Sequence, residues 1–218
     1  MPASEPLTYL ERPAANGAEG LLFLHHGRGT DERDLLGLAD ALDPERRLHV
    51  CAPRAPLTLP GSPGYHWYLV PRVGYPDPDS FHAARGALAE FHDRIWEETG
   101  LGPASTVFGG FSMGAVMSYA MALGADRPAV AGIMAFSGFV PVVEGWEPEL
   151  EDRRETRALI AHGRADPVIE VGFGRRAKDL LEAAGLEVDY RESGAGHQID
   201  PSQLSDVVAW LARTLRGR

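Results

Sequence analysis

The chain has 218 residues, 21 basic and 31 acidic side chains, a formal charge of −10, and 44% hydrophobic against 24% charged residues. This is the range of one ordinary globular domain spanning 1–218, and the acidic balance lacks the concentrated positive field that nucleic acid or anionic lipid requires. No apolar run reaches the ~20 residues of a membrane span, and the single cysteine, Cys51, excludes an internal disulfide or a Cys-based metal cluster. The stretch Met1–Glu5 shows no basic segment leading into an apolar one, so a cytoplasmic location is the expectation.

Leu21–Leu24 is a short apolar run that ends in His25-His26-Gly27-Arg28-Gly29, the pattern of a strand entering a turn. From Asp31 to Leu42, Leu35, Leu38, Ala39 and Leu42 fall at helical spacing, with Asp31 and Glu32 in the first turn where the helix dipole favours them. Leu48–Ala52 reads as a strand, residues 55–78 as a long loop rich in Pro, Gly and aromatics. Asp79–Thr99 then reads as a helix carrying Phe81, Ala84, Leu88, Phe91 and Ile95 on one face, stopped by Gly100. The alternation continues with a strand at Thr106–Gly109, a helix at Ser112–Leu123 and a strand at Val130–Phe136. Glu144–Arg157 is charged and reads as an exposed loop with room for a short helix. A strand at Ala158–Ala161, a helix at Val171–Ala184, a strand at Glu187–Arg191 and a helix at Pro201–Leu215 capped by Asp200 complete the chain. Such alternation predicts an α/β class protein, a mainly parallel sheet with helices on both faces.

Gly110-Phe111-Ser112-Met113-Gly114 is a G-x-S-x-G sequence between a predicted strand and a predicted helix, the context in which a serine sits on a tight, strained turn. A serine hydroxyl needs a base to accept its proton and a carboxylate to orient that base, in the chain order Ser, acid, His. Only His162 and His197 follow Ser112. His197 lies in a loop directly after the last predicted strand and is the candidate base; His162 precedes its own acid and reads as a structural residue holding a turn. Asp166, just past the strand at 158–161 and followed by Pro167, is the candidate acid, with Glu170 in reserve. An acyl oxyanion would be met by the backbone N–H of Met113 and by an N–H of the 26–29 loop, for which Arg28 is chosen. The Arg28 side chain is free either to touch substrate or to pair with Asp31 or Asp34. His25 and His26 diverge at a strand end without a third ligand, so no metal site is read there, and this chemistry calls for no cofactor.

On these residues the chain resembles the phospholipase/carboxylesterase family of α/β-hydrolases, which includes acyl-protein thioesterases and small bacterial carboxylesterases. The resemblance runs from Leu21 to Leu215 and rests on Leu24–Gly29, Gly109–Gly114, Phe136–Pro141, His162–Val168 and Gly196-His197. It implies an α/β-hydrolase fold without a large lid domain, the triad Ser112, Asp166 and His197, and oxyanion donors at Arg28 and Met113. It also implies that Trp67, with Tyr68, lines an acyl pocket, for which Phe111, Phe139 and Val140 are further wall candidates. Acyl-protein thioesterases usually carry Gln where Met113 stands, which argues against protein depalmitoylation. The expectation is a serine carboxylesterase acting on small or medium-chain, small-molecule esters as a monomer or homodimer. The alternatives are a lysophospholipase or acyl-thioesterase on longer chains and, from another class, a non-catalytic ligand receptor.

Overall fold

The computed structural model describes residues 6–216, so the stretch Met1–Glu5 lies outside the described residues. Seven strands, β1 (Tyr9–Arg12), β2 (Gly20–His25), β3 (Leu48–Pro53), β4 (Thr106–Phe111), β5 (Gly132–Phe136), β6 (Arg157–Gly163) and β7 (Val188–Ser193), form one sheet. Their order is β1-β3-β2-β4-β5-β6-β7, with β1 antiparallel and the other six parallel. The central strands β2 and β5 are buried along their whole length, which is why they read as continuous apolar runs rather than alternating ones.

Two cores flank the sheet. One packs Phe23, Phe108 and Ile133 against α3 (Pro78–Thr99), α4 (Met113–Leu123) and α5 (Val171–Ala183). The other packs Leu22, Val107 and Leu159 against α1 (Arg33–Leu36), α2 (Ala39–Leu42) and α6 (Leu204–Arg216). The register sets Phe111 beside Phe136 and Phe136 beside Ala161, so the carboxyl ends of the parallel strands share one edge. That edge is where open α/β sheets place their ligands. Among the described residues no helix is long and apolar enough to cross a membrane.

Four sequence expectations need correction. The four-residue edge strand β1 was not foreseen, because its exposed Leu10 and Glu11 carry no core-facing alternation. The helix expected over Asp31–Leu42 is two single turns separated at Gly37-Leu38. Glu32 is buried there and held in the Arg54 fork at 2.6 Å on each oxygen; that hydrogen bonding, more than any helix end, brings its carboxyl to about 2. The segment Glu144–Arg157 holds the expected short helix, a single turn at Glu151–Arg153, but it is not an exposed loop: Trp146 and Arg153 are buried, and the Arg153 guanidinium donates to the carbonyls of Ala122, Gly124 and Arg127.

Candidate active site

Ser112 joins β4 to α4 with φ 55° and ψ −118°, a positive-φ conformation that a side chain adopts only when its surroundings enforce it. Its N–H donates to the Phe136 carbonyl at 2.8 Å, tying the turn to the end of β5. The glycines two residues either side have no room for a Cβ. At Gly114 it would stand 1.9 Å from the His25 carbonyl oxygen, and at Gly110 it would stand 2.4 Å from the backbone of Gly114.

The three residues singled out from the chain order meet at this turn. The Ser112 hydroxyl lies 2.8 Å from His197 Nε2, and His197 Nδ1 lies 2.7 Å from Asp166 Oδ2. Asp166 follows β6, and its other oxygen accepts the N–H groups of Val168 and Ile169 at 2.8 and 2.9 Å. Burial works to raise the Asp166 carboxyl, yet the hydrogen bonds from His197 and from the Ile169 and Val168 amides outweigh it and hold it below its ordinary value. The loop carrying His197 is pinned to the end of β6 by the Arg164 and Ala165 amides, which donate to Ser193 and Ala195. Phe111 backs the imidazole, ring centroid to ring centroid 4.9 Å. His162 donates from Nε2 to the Ile169 carbonyl at 2.8 Å, bracing the turn that carries Asp166.

The 26–29 loop is held from three sides. His26 Nδ1–H donates to the Gly27 carbonyl at 2.8 Å, while Nε2 accepts the Ala55 amide at 3.0 Å. That arrangement fits a neutral ring, and burial pushes this histidine down. Gly29 and Thr30 pair with Tyr65 through two backbone hydrogen bonds of 2.9 Å. Trp67 donates its indole N–H to the His26 carbonyl at 2.9 Å. Beneath the loop, Ser118 donates to the Gly114 carbonyl, which can only accept, so His25 Nδ1–H donates to Ser118 and His92 Nε2–H donates to His25 Nε2. Both imidazoles are fully buried and neutral; burial lowers His25 to about 3 and His92 well below its ordinary value.

A cavity of about 80 Å³ opens over Ser112, lined by Arg28, Met113, Tyr68, Phe139 and Ile169 among others. Met113 is the first residue of α4, so its N–H has no acceptor within the helix and is available to this space. Of the expected wall residues, Tyr68 and Phe139 line the cavity. Val140 instead lines a neighbouring hollow of about 400 Å³ that shares Phe139. Trp67 and Phe111 line neither: Trp67 is wholly buried behind the 26–29 loop, and Phe111 stands behind His197. Val70, Arg72, Val73, Pro76, Val168 and Ile169 complete the cavity and were not foreseen. The only signal for the first four was their place in a long Pro- and aromatic-rich loop, the kind of segment that carries specificity.

Among the described residues, Glu11, His49 and Cys51 bring metal-type donor atoms within 4.8 Å of one another, on β1 and β3. They lie apart from the Ser112 cavity, His49 is already bonded to Glu11 at 2.8 Å, and burial, helped by Glu11 and Glu98, pushes the Cys51 thiol up to about 12. A thiol held that firmly protonated is a core residue.

Residues 10–215 match the Phospholipase/Carboxylesterase family. Similar curated proteins include acyl-protein thioesterase 1 of Yarrowia lipolytica, 27% identical over 97% of this chain and 99% of that protein, and lysophospholipase-like protein 1 of Mus musculus, 24% identical over 94% and 90%. Among solved structures, esterase PE8 superimposes with a TM-score of 0.80 at 29% identity, covering 96% of this chain and 100% of that one. A carboxylesterase from Mesorhizobium loti gives 0.79 at 27% identity, over 95% and 98%. The match across nearly the whole chain, on a sheet whose strand ends bring a serine, an imidazole and a carboxylate together, shows that this chain belongs to the Phospholipase/Carboxylesterase family of α/β-hydrolases and is a serine hydrolase.

Proposed function

We propose that the chain, acting as a single α/β-hydrolase domain, is a carboxylesterase that cleaves small and medium-chain carboxylic esters through an acyl-enzyme on Ser112. The observation that carries this reading is the continuous hydrogen-bonded line from the Ser112 hydroxyl through His197 to Asp166, at 2.8 and 2.7 Å. His197 takes the hydroxyl proton as Ser112 Oγ attacks the ester carbonyl, and Asp166 fixes the imidazole tautomer and balances its charge. The oxyanion is received by the Met113 and Arg28 amides, where each such donor contributes about 2.7–4 kcal/mol to the transition state. His197 then protonates the departing alcohol; water deprotonated by the same ring attacks the acyl-enzyme, and the acid leaves as Ser112 regains its proton.

The small volume over Ser112 supports short acyl groups. The larger hollow beyond Phe139 favours a second reading, hydrolysis of longer acyl chains as in lysophospholipid or thioester substrates. Turnover of p-nitrophenyl butyrate, labelling by a fluorophosphonate, and loss of both in Ser112→Ala with an unchanged circular dichroism spectrum test the proposal. Full activity in that variant removes Ser112 from the chemistry, and a folded wild-type protein that neither labels nor turns over is a receptor rather than an esterase.

A further inference from the structure

Carboxylates outnumber cations in this chain, so its arginines find acidic partners readily: Arg54 with Glu32, Arg127 with Asp93, Arg175 with Glu192, Arg12 with Asp43. Several exposed arginines among the described residues make no ion pair, and two of these, Arg28 and Arg72, line the cavity over Ser112. Among the described residues no carboxylate lies within 4 Å of the Arg28 or Arg72 guanidinium, although Asp31 and Asp34 are close in sequence to Arg28 and Asp31 is paired with Arg33 instead. Arg72 is laid over the Tyr75 ring at 3.7 Å, a contact that positions the cation without neutralising it. No acidic residue is part of the cavity lining; the rest is mostly apolar, with Tyr68, Val70, Val73 and Phe139. An apolar pocket wall strengthens the attraction between a guanidinium and an anion, and the planar guanidinium fork matches carboxylate or phosphate oxygens.

We infer that Arg28 and Arg72 form an anion subsite beside Ser112, and that the preferred substrates are esters carrying a carboxylate or phosphate a few atoms from the scissile carbonyl. The inference rests on the esterase reading above and adds the substrate class to it. Arg28 contributes its side chain here independently of its backbone N–H.

The test compares substrates with and without the anionic group. Monoethyl glutarate against ethyl 4-carbamoylbutanoate places the anion on the acyl side; 2-phosphoethyl butyrate against 2-hydroxyethyl butyrate places it on the alcohol side. Wild-type protein is expected to favour the charged member of at least one pair by about tenfold in kcat/KM, mainly through KM, the ordinary scale of one charge-assisted hydrogen bond. That preference should shrink as salt is raised. Arg72→Gln lowers the ratio severalfold, Arg72→Lys retains most of it, and Arg72→Gln with Arg28→Gln brings it near one; because the neutral ester supplies the denominator, a general loss of activity cancels. The pair that shows the preference tells which side of the ester carries the anion. Ratios near one for both pairs in wild type, or a ratio indifferent to both arginines, overturn the anion subsite and leave the esterase standing. Absence of turnover for all four esters in folded wild-type protein overturns the esterase reading as well.

Discussion

The indole N–H of Trp67 donates to the carbonyl of His26 at 2.9 Å, from a position wholly buried behind the 26–29 loop that carries Arg28. The Trp67 amide also reaches Met113 Sδ at 3.2 Å, so one residue touches both halves of the proposed oxyanion hole. Its effect on chemistry is therefore indirect. Trp67→Phe keeps most of the packing but leaves the His26 carbonyl unpaired, at a cost of about 1–3 kcal/mol. The expected result is a lower Tm and a kcat reduced about ten- to a hundredfold by donor misplacement, with an unchanged order of preference among acetate, butyrate and octanoate esters. A changed chain-length order at normal kcat would put this ring in the acyl wall instead.

Buried, neutral His25 and His92 set an acid limit to stability. The folded form keeps His25 unprotonated down to about 3, whereas the unfolded chain takes up that proton near 6.5. Below 6.5 the unfolded state thus binds more protons, so stability falls as pH drops, by up to about 1.4 kcal/mol per pH unit for each such histidine. His26 and His66, also lowered by burial, act in the same direction. Urea denaturation at pH 7.5, 6.5, 5.5 and 5.0 should show this slope, and His92→Phe should reduce it because the ring stacked on Phe108 no longer titrates. Stability that stays flat from 6.5 to 5.0 would contradict the assignment.

Two glycine substitutions should have opposite signs. Gly114→Ala drives a methyl group into the His25 carbonyl at 1.9 Å, where neither backbone can yield, and should give insoluble or inactive protein. Gly86 lies inside α3 with open space where its Cβ would stand, so Gly86→Ala should stabilise by about 0.5–1 kcal/mol. Expression yield and Tm of the pair are sufficient readouts.

Phe139 separates the volume over Ser112 from the larger hollow and rests against Phe173 at 5.2 Å. Phe139→Ala should merge the two spaces and move the preferred acyl length upward, with each additional buried methylene worth up to about 0.8 kcal/mol in kcat/KM. A series of p-nitrophenyl esters from acetate to decanoate measures this; an unchanged optimum would show that Phe139 does not limit the chain.

The strands buried on both faces announced themselves as apolar runs, and the serine turn was legible because Gly110 and Gly114 have steric reasons to be glycine. The placement of His197 beside Ser112 followed from chain order, since both occupy loops at the same ends of parallel strands. The cavity walls were not legible. Val70, Arg72 and Val73 lie in a loop whose course is set by distant partners, such as the Tyr65 pairing with Gly29 and Thr30, and no periodicity encodes those contacts. The break at Gly37-Leu38 was missed because the helical spacing of Leu35, Leu38, Ala39 and Leu42 runs unbroken across both single turns. Trp67 was misplaced for a related reason: an aromatic near a site reads as pocket lining, whereas this one turns its polar tip to the His26 carbonyl.

Ser112, His197 and Asp166 stand on turns and loops at the ends of parallel strands, whereas part of the cavity wall comes from the exposed side chains of Arg72, Val73 and Val168. This division separates what selection must keep from what it can revise. Exchanges among those wall residues would reshape the space over Ser112 while leaving the hydrogen-bonded line from Ser112 through His197 to Asp166 untouched.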